Sequence, residues 1–125
     1  MKTAILTSIF TFTFFASSFA NPVVKEKTVV AYIEYCSQGE FDKIIGLFDA
    51  NLSSFISPDE IKGSWNDVQT KYGKFVSIKE MKTSRVGNFD ISKVLCQFEN
   101  NTCLFVFTFD DGGNLKSVLK STSTN

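Results

Sequence analysis

Residues 57–75 read SPDEIKGSWNDVQTKYGKF and hold the only tryptophan of the chain. Ser57 is a good N-cap, Pro58 suits the first helical position, and Glu60 completes a Ser-x-x-Glu capping box. Gly73 supplies the stop. Between these signals Ile61, Trp65, Val68 and Tyr72 fall within about 60° of one another on a 100°-per-residue wheel. The stretch is therefore a helix with one apolar stripe, and Trp65 is expected to anchor that stripe to a core. Gly63 points to the opposite side, where it costs roughly 1 kcal/mol relative to alanine.

Upstream of this helix the periodicity is also helical. PVVKEKTVVAYIEYC (22–36) places Val29, Ile33 and Cys36 on one face. EFDKIIGLFDANL (40–52) places Phe41, Ile44, Ile45 and Phe48 at i, i+3, i+4 and i+7, which predicts one short amphipathic helix. Downstream the pattern changes to strands. Residues 74–86 alternate weakly and carry Lys79, Glu80 and Lys82, the profile of an edge strand guarded by charge. FDISKVLCQF (89–98), CLFVFTF (103–109) and LKSVLK (115–120) follow. On the third strand Cys103, Phe105, Phe107 and Phe109 face one way, Leu104 and Val106 the other. Both faces are apolar, as in a central strand covered on both sides. Helices account for one cover; a ligand cavity or a second subunit would be the other. On the last strand Leu115 and Leu119 are expected on one face and Val118 on the other. Helices segregated from an antiparallel meander make the class α+β.

The first twenty residues, MKTAILTSIFTFTFFASSFA, have an early Lys2, an apolar run, and Ser18 and Ala20 in an A-x-A-like position. That is the layout of a secretory signal peptide cut after Ala20, and the run is too short to span a bilayer. Of the 125 residues, 105 then remain: one domain at 21–120 and a frayed tail at 121–125. With Lys2 gone, twelve basic side chains face thirteen acidic ones, a formal charge of −1. This balanced surface offers no electrostatic footprint for nucleic acid and no basic cluster for a membrane surface.

Three cysteines, Cys36, Cys96 and Cys103, leave the pairing open: three buried thiols, a Cys96–Cys103 disulfide, or a bond to Cys36. With Asn100-Asn101 as the hairpin tip, Cys96 lies opposite Phe105 and Cys103 opposite Phe98. The two sulfurs are then diagonal neighbours, and only a register shift permits their bond.

The chain contains no histidine, which removes Ser-His-Asp and Cys-His machinery and most zinc sites. No nucleophile elbow, phosphate loop or dinucleotide fingerprint is present, and no cofactor is expected. Asp110-Asp111-Gly112-Gly113 reads as a hairpin turn and lacks the ligand spacing of a calcium loop. Asp90, Glu80 and Glu34 read as solvated charges. Tyr32, Tyr35 and Tyr72 read as partly buried tyrosines each anchored by one hydrogen bond, with hydroxyls projecting into a pocket as the alternative.

GEFDKIIGLFD, the W-x-x-V and Y-G-K-F of the third helix, and the F-E-N…V-F-T-F-D hairpin together resemble a bacterial family, domain of unknown function 3887. Its plan is similar to the nuclear transport factor 2-like superfamily, and the resemblance covers about residues 38–119. It implies a curved four-stranded antiparallel sheet wrapped around helices, a cystatin-like cone that often holds a small apolar ligand. The superfamily includes enzymes and pure binding modules, so the resemblance implies no single activity. In such a cone Trp65, Tyr72, Phe105 and Phe107 would line the cavity. The expected role is that of a secreted or periplasmic, non-enzymatic module for a small apolar ligand or a protein partner. The alternatives are a cofactor-independent isomerase- or hydrolase-like enzyme using a buried carboxylate and tyrosine, and a homodimerisation module.

Overall fold

The structure, a computed structural model, describes residues 20–121, with side chains from Lys25 onward. The expected signal peptide, apart from Ala20, and the tail from residue 122 lie outside the described residues. Four helices precede four strands: α1 (Ala20–Gln38), α2 (Phe41–Ile44), α3 (Ala50–Phe55), α4 (Pro58–Tyr72), β1 (Phe75–Val86), β2 (Phe89–Phe98), β3 (Thr102–Phe109) and β4 (Leu115–Ser121). The strands form one antiparallel sheet in the order β1-β2-β3-β4. The class is α+β, with helices followed by an open four-stranded sheet.

The opening stretch folds as its residues dictate. Ser57 Oγ accepts the Glu60 N–H and Glu60 Oε1 accepts the Ser57 N–H, so both halves of the capping box are made. Ile61, Trp65, Val68 and Tyr72 are all buried. The indole sits 5.6 Å from the Phe98 ring, 5.7 Å from Phe75 and 6.1 Å from Phe105, an aromatic cluster bridging α4 to β1, β2 and β3.

Gly73 ends α4 at φ 89°, ψ −173°, a conformation essentially reserved for glycine. A Cβ there would lie 2.7 Å from Glu99 Cβ, so the β2–β3 hairpin tip leaves no room for one. Three hydrogen bonds close this contact. Asn100 N–H donates to the Tyr72 carbonyl (2.7 Å), Glu99 N–H to the Lys74 carbonyl (2.9 Å), and Lys74 N–H to Glu99 Oε1 (3.0 Å). The Y-G-K and E-N motifs, apart in sequence, are the two halves of one latch.

The latch also corrects the hairpin register. With Glu99 and Asn100 held by the end of α4, the Phe98 N–H bonds the Asn101 carbonyl at 2.8 Å and the tip is Glu99-Asn100. Cys96 therefore pairs directly with Cys103, and Gln97 with Thr102, so the partner of Cys96 is Cys103 rather than the expected Phe105.

Two further expectations are corrected. The amphipathic helix over 40–52 is broken. After α2 a short 3-10 turn (Ile45–Leu47) leads into Phe48 in extended conformation. The break has two causes: Asp49 caps α3 by accepting the Leu52 N–H (2.7 Å), and its own N–H donates to the Leu115 carbonyl (2.8 Å). Phe48 thereby bridges to β4 and stays buried. On β4, a bulge at Lys116, where pairing steps from Phe109↔Leu115 to Thr108↔Ser117, reverses the alternation. Leu115 is fully buried while Leu119 is 63% exposed.

The helices pack on one face of the sheet, against Val94, Cys96, Phe98, Cys103, Phe105, Phe107 and Phe109. The opposite face carries Leu95 beside Leu104 and Val106 beside Leu119, half-buried or exposed. As expected of an edge strand, β1 keeps its lysines exposed, and register shifts between Phe75 and Ser77 and between Ile78 and Glu80 interrupt its pairing.

Two tests follow from the packing. Trp65→Ala is expected to cost about 3–5 kcal/mol, read as a lowered melting temperature; an unchanged one would refute the anchor role. Gly63 has open space where a Cβ would go, so Gly63→Ala should stabilise by about 0.5–1 kcal/mol. Gly73→Ala should destabilise by about 3 kcal/mol or more through strain and the clash with Glu99, and urea denaturation of the two variants reads the opposite signs.

Candidate functional site

A cavity of ≈ 140 Å³ lies where α1, α3, α4 and β4 meet. It borders the helix break: Phe48, bridged to β4, Leu52 of short α3 and Ile56 after it all stand on its lining. Phe48, Leu52, Ile56, Ile61 and Val118 give the cavity apolar walls. Tyr32, Ser64 and Glu60 add polar groups. Tyr32 reaches it because its ring stands edge-on to Phe107, centroids 5.1 Å apart at 80°. Phe107 in turn pairs with Val118 across the sheet.

The polar groups differ in their state. Tyr32 is 7% exposed, and burial, helped by nearby Cys36, pushes its phenol well above the ordinary value, so it stays protonated. Glu60 is exposed, with one carboxylate oxygen committed to the capping box. An outer depression of ≈ 340 Å³ adjoins the cavity, shares Ile56 and Glu60 with it, and includes Phe55, 74% exposed. A third space, ≈ 560 Å³, runs beside α4 along Asp67, Val68, Thr70 and Lys71 to Lys120.

The four residues expected to line a cavity are buried. Trp65, Phe105 and Phe107 stack through the core, the last two 6.3 Å apart, and Tyr72 sits at the end of the same helix stripe. None of the four is among the residues lining these three spaces. Tyr32 is among the residues lining the ≈ 140 Å³ cavity. Phe48, Leu52, Ile56, Ser64 and Val118 had no sequence signal as wall residues beyond lying at the edges of apolar stripes.

Carboxylates in the fold's interior are partnered. Asp90, expected to be solvated, is instead held on the helix-covered face, its side chain 13% exposed. Lys25 and Arg85 each lie 3.3 Å from it, and Arg85 continues to Asp111 at 2.9 Å. Lys25 makes this possible because it falls on the Val29–Tyr32–Ile33 stripe of α1, and a buried ammonium needs a counter-ion. Asp49 is held below the usual carboxylate range by the Leu52 N–H, with Lys116 assisting at 3.4 Å. Among the described residues no group of three or more histidine, cysteine, aspartate or glutamate side chains is arranged to hold a metal ion. No helix among them is long and apolar enough to cross a membrane.

Residues 29–117 match the family described as Protein of unknown function (DUF3887). The chain belongs to the DUF3887 family. Among solved structures this DUF3887 chain is similar to the NMR structure of a protein from Ruminococcus gnavus ATCC 29149. The TM-score is 0.60 and the identity 18%, over 79% of this chain and 89% of that one, a likeness of fold. Comparison with the curated proteins returns no match.

Cys36 of α1, and Cys96 and Cys103 on the helix-covered face of the sheet, are free, buried thiols of this DUF3887 chain. Burial pushes all three up, Cys96 to about 12 with Cys103 adding to the effect. The unfolded chain ionises its thiols from the ordinary value of 9.0, while the folded chain keeps them protonated. Their contribution to stability is therefore complete below pH 9 and is lost as pH rises toward 12. The urea midpoint should fall between pH 8 and pH 10.5 under reducing conditions, and a Cys96→Ala variant should fall less steeply; parallel slopes would contradict this account.

Proposed function

We propose that this DUF3887 chain is an exported, non-enzymatic binding domain that holds a small apolar ligand between its helices and its sheet. The single observation carrying this reading is the ≈ 140 Å³ cavity, with apolar walls from four elements and few polar groups. We read the architecture as a version of the nuclear transport factor 2-like cone. Helices laid along one face of an antiparallel meander support that reading, as does a cavity opening between them. Export rests on the N-terminal signal pattern and its A-x-A-like site before Asn21.

The enzymatic alternative draws less support. It needs a carboxylate poised at the cavity, and the interior carboxylates, Asp90 and Asp49, are engaged by cations or backbone donors elsewhere. A homodimer is the second reading, and the apolar pairs Leu95–Leu104 and Val106–Leu119 on the sheet's uncovered face favour it.

Native mass spectrometry of the protein purified from the compartment it occupies tests these points together. The expected result is a chain beginning at Asn21 that carries a small bound molecule, released on mild activation. A Val118→Trp variant, which fills the cavity, should lose that molecule. A protein that arrives empty and takes up no small apolar probe would refute the binding reading, and a strictly monomeric mass at micromolar concentration would refute the dimer.

A further inference from the structure

Tyr32 is more than nine-tenths buried, yet no hydrogen bond to its hydroxyl occurs among the described residues. Every fully buried side-chain nitrogen or oxygen among those residues has a partner. The Tyr32 oxygen therefore retains some accessible surface, and the cavity is the space its side chain borders. A hydroxyl with no protein partner at an accessible cavity wall is free to donate to a ligand oxygen placed there, in exchange for water.

Size and charge narrow the ligand further. A dry apolar cavity of about 150 Å³ accommodates a benzene-sized molecule, so ≈ 140 Å³ suits a body of about six to eight non-hydrogen atoms. The residues lining it carry no positive charge, and the one ionised side chain at its edge is Glu60, a carboxylate. Lys120 lines the neighbouring groove instead and donates to the Ser64 carbonyl at 3.1 Å. An anion would enter without a counter-ion and against the Glu60 charge.

We propose that Tyr32 is the specificity-determining residue of this cavity, selecting an uncharged ligand with a compact apolar body and one hydrogen-bond-accepting oxygen, such as a small aromatic or branched alcohol or ketone. The inference rests on the binding reading above and adds the chemistry of the ligand. It assigns Tyr32 as donor to the ligand oxygen and the apolar walls as the seat of its body. Carboxylates of the same size are excluded.

The test is titration of the purified protein with toluene, benzyl alcohol and benzoate, followed by amide chemical shifts of cavity residues. The wild-type protein should bind toluene and benzyl alcohol, and benzoate at least about tenfold more weakly than benzyl alcohol. In Tyr32→Phe the affinity ratio of benzyl alcohol to toluene should drop by about tenfold, the worth of a buried hydrogen bond left unmade. Loss of that bond alone, and not of the fold, is confirmed when Tyr32→Phe keeps the wild-type amide spectrum outside the cavity. If that spectrum changes throughout, Ser64→Ala serves as the control cavity variant, and the wild-type preference over benzoate decides. A ratio unchanged by Tyr32→Phe, or benzoate binding as tightly as benzyl alcohol, would overturn the inference while leaving the cavity a binding site. Failure of all three probes to bind the wild-type protein would overturn the binding reading and this inference with it.

Discussion

The contact between Gly73 and the Glu99-Asn100 hairpin tip sets the geometry on which the rest of the fold depends. It stops α4, reverses the chain into β1 and fixes the turn of the central hairpin in one place. Choosing that turn decides which residues of β2 and β3 lie opposite one another, while the faces they point to stay the same. A tip one residue later would pair Cys96 with Phe105 and displace the ring cluster around Trp65. The local backbone cost at Gly73 is small beside the burial it organises, since four aromatic rings meet only in this register.

A second constraint acts at the other end of the sheet. Phe48 and Asp49 leave the helical path to join Leu115, and the cavity lies beside that departure. Had residues 40–52 continued as one helix, its stripe would have covered Val118 and Ile61 directly. Instead the apolar surface is shared among short segments that meet imperfectly. The core beneath Trp65 is filled by rings, while the region around Tyr32 retains free volume. One domain thus combines a tightly packed end with a receptive one.

Much of this was legible in the residues. The capping box, the Ile61–Trp65–Val68–Tyr72 stripe and the spans of the strands follow from local chemistry and periodicity, and the structure has them. What periodicity could not reveal were hydrogen bonds between residues distant in sequence. Phe48 satisfies an i+7 helical pattern equally well whether it is helical or extended, and only the Leu115 carbonyl distinguishes the two. The bulge at Lys116 is invisible to a pattern that assumes strict alternation, so Leu119 was placed on the wrong face. Asp90 reads as a solvated charge because a lone carboxylate belongs at the surface; on the covered face it and Lys25 satisfy one another. The resemblance points to the strongest aromatics, Trp65, Tyr72, Phe105 and Phe107, and those are the residues a core consumes first. The lining of the ≈ 140 Å³ cavity comes from stripe edges, where local pattern carries least information.

The bridge at Leu115 bears on the order in which the chain can assemble. Leu115, which holds Phe48 and Asp49, opens β4, so the segment around Phe48 reaches its final path only once the fourth strand is in place. Until then the inner rings of β3 lack their neighbouring strand, and the short helices lack the carbonyl that ends the first of them. Closure is thus deferred to the fourth strand. The early helices and the far edge of the sheet form one cooperative unit, joined through a single carbonyl.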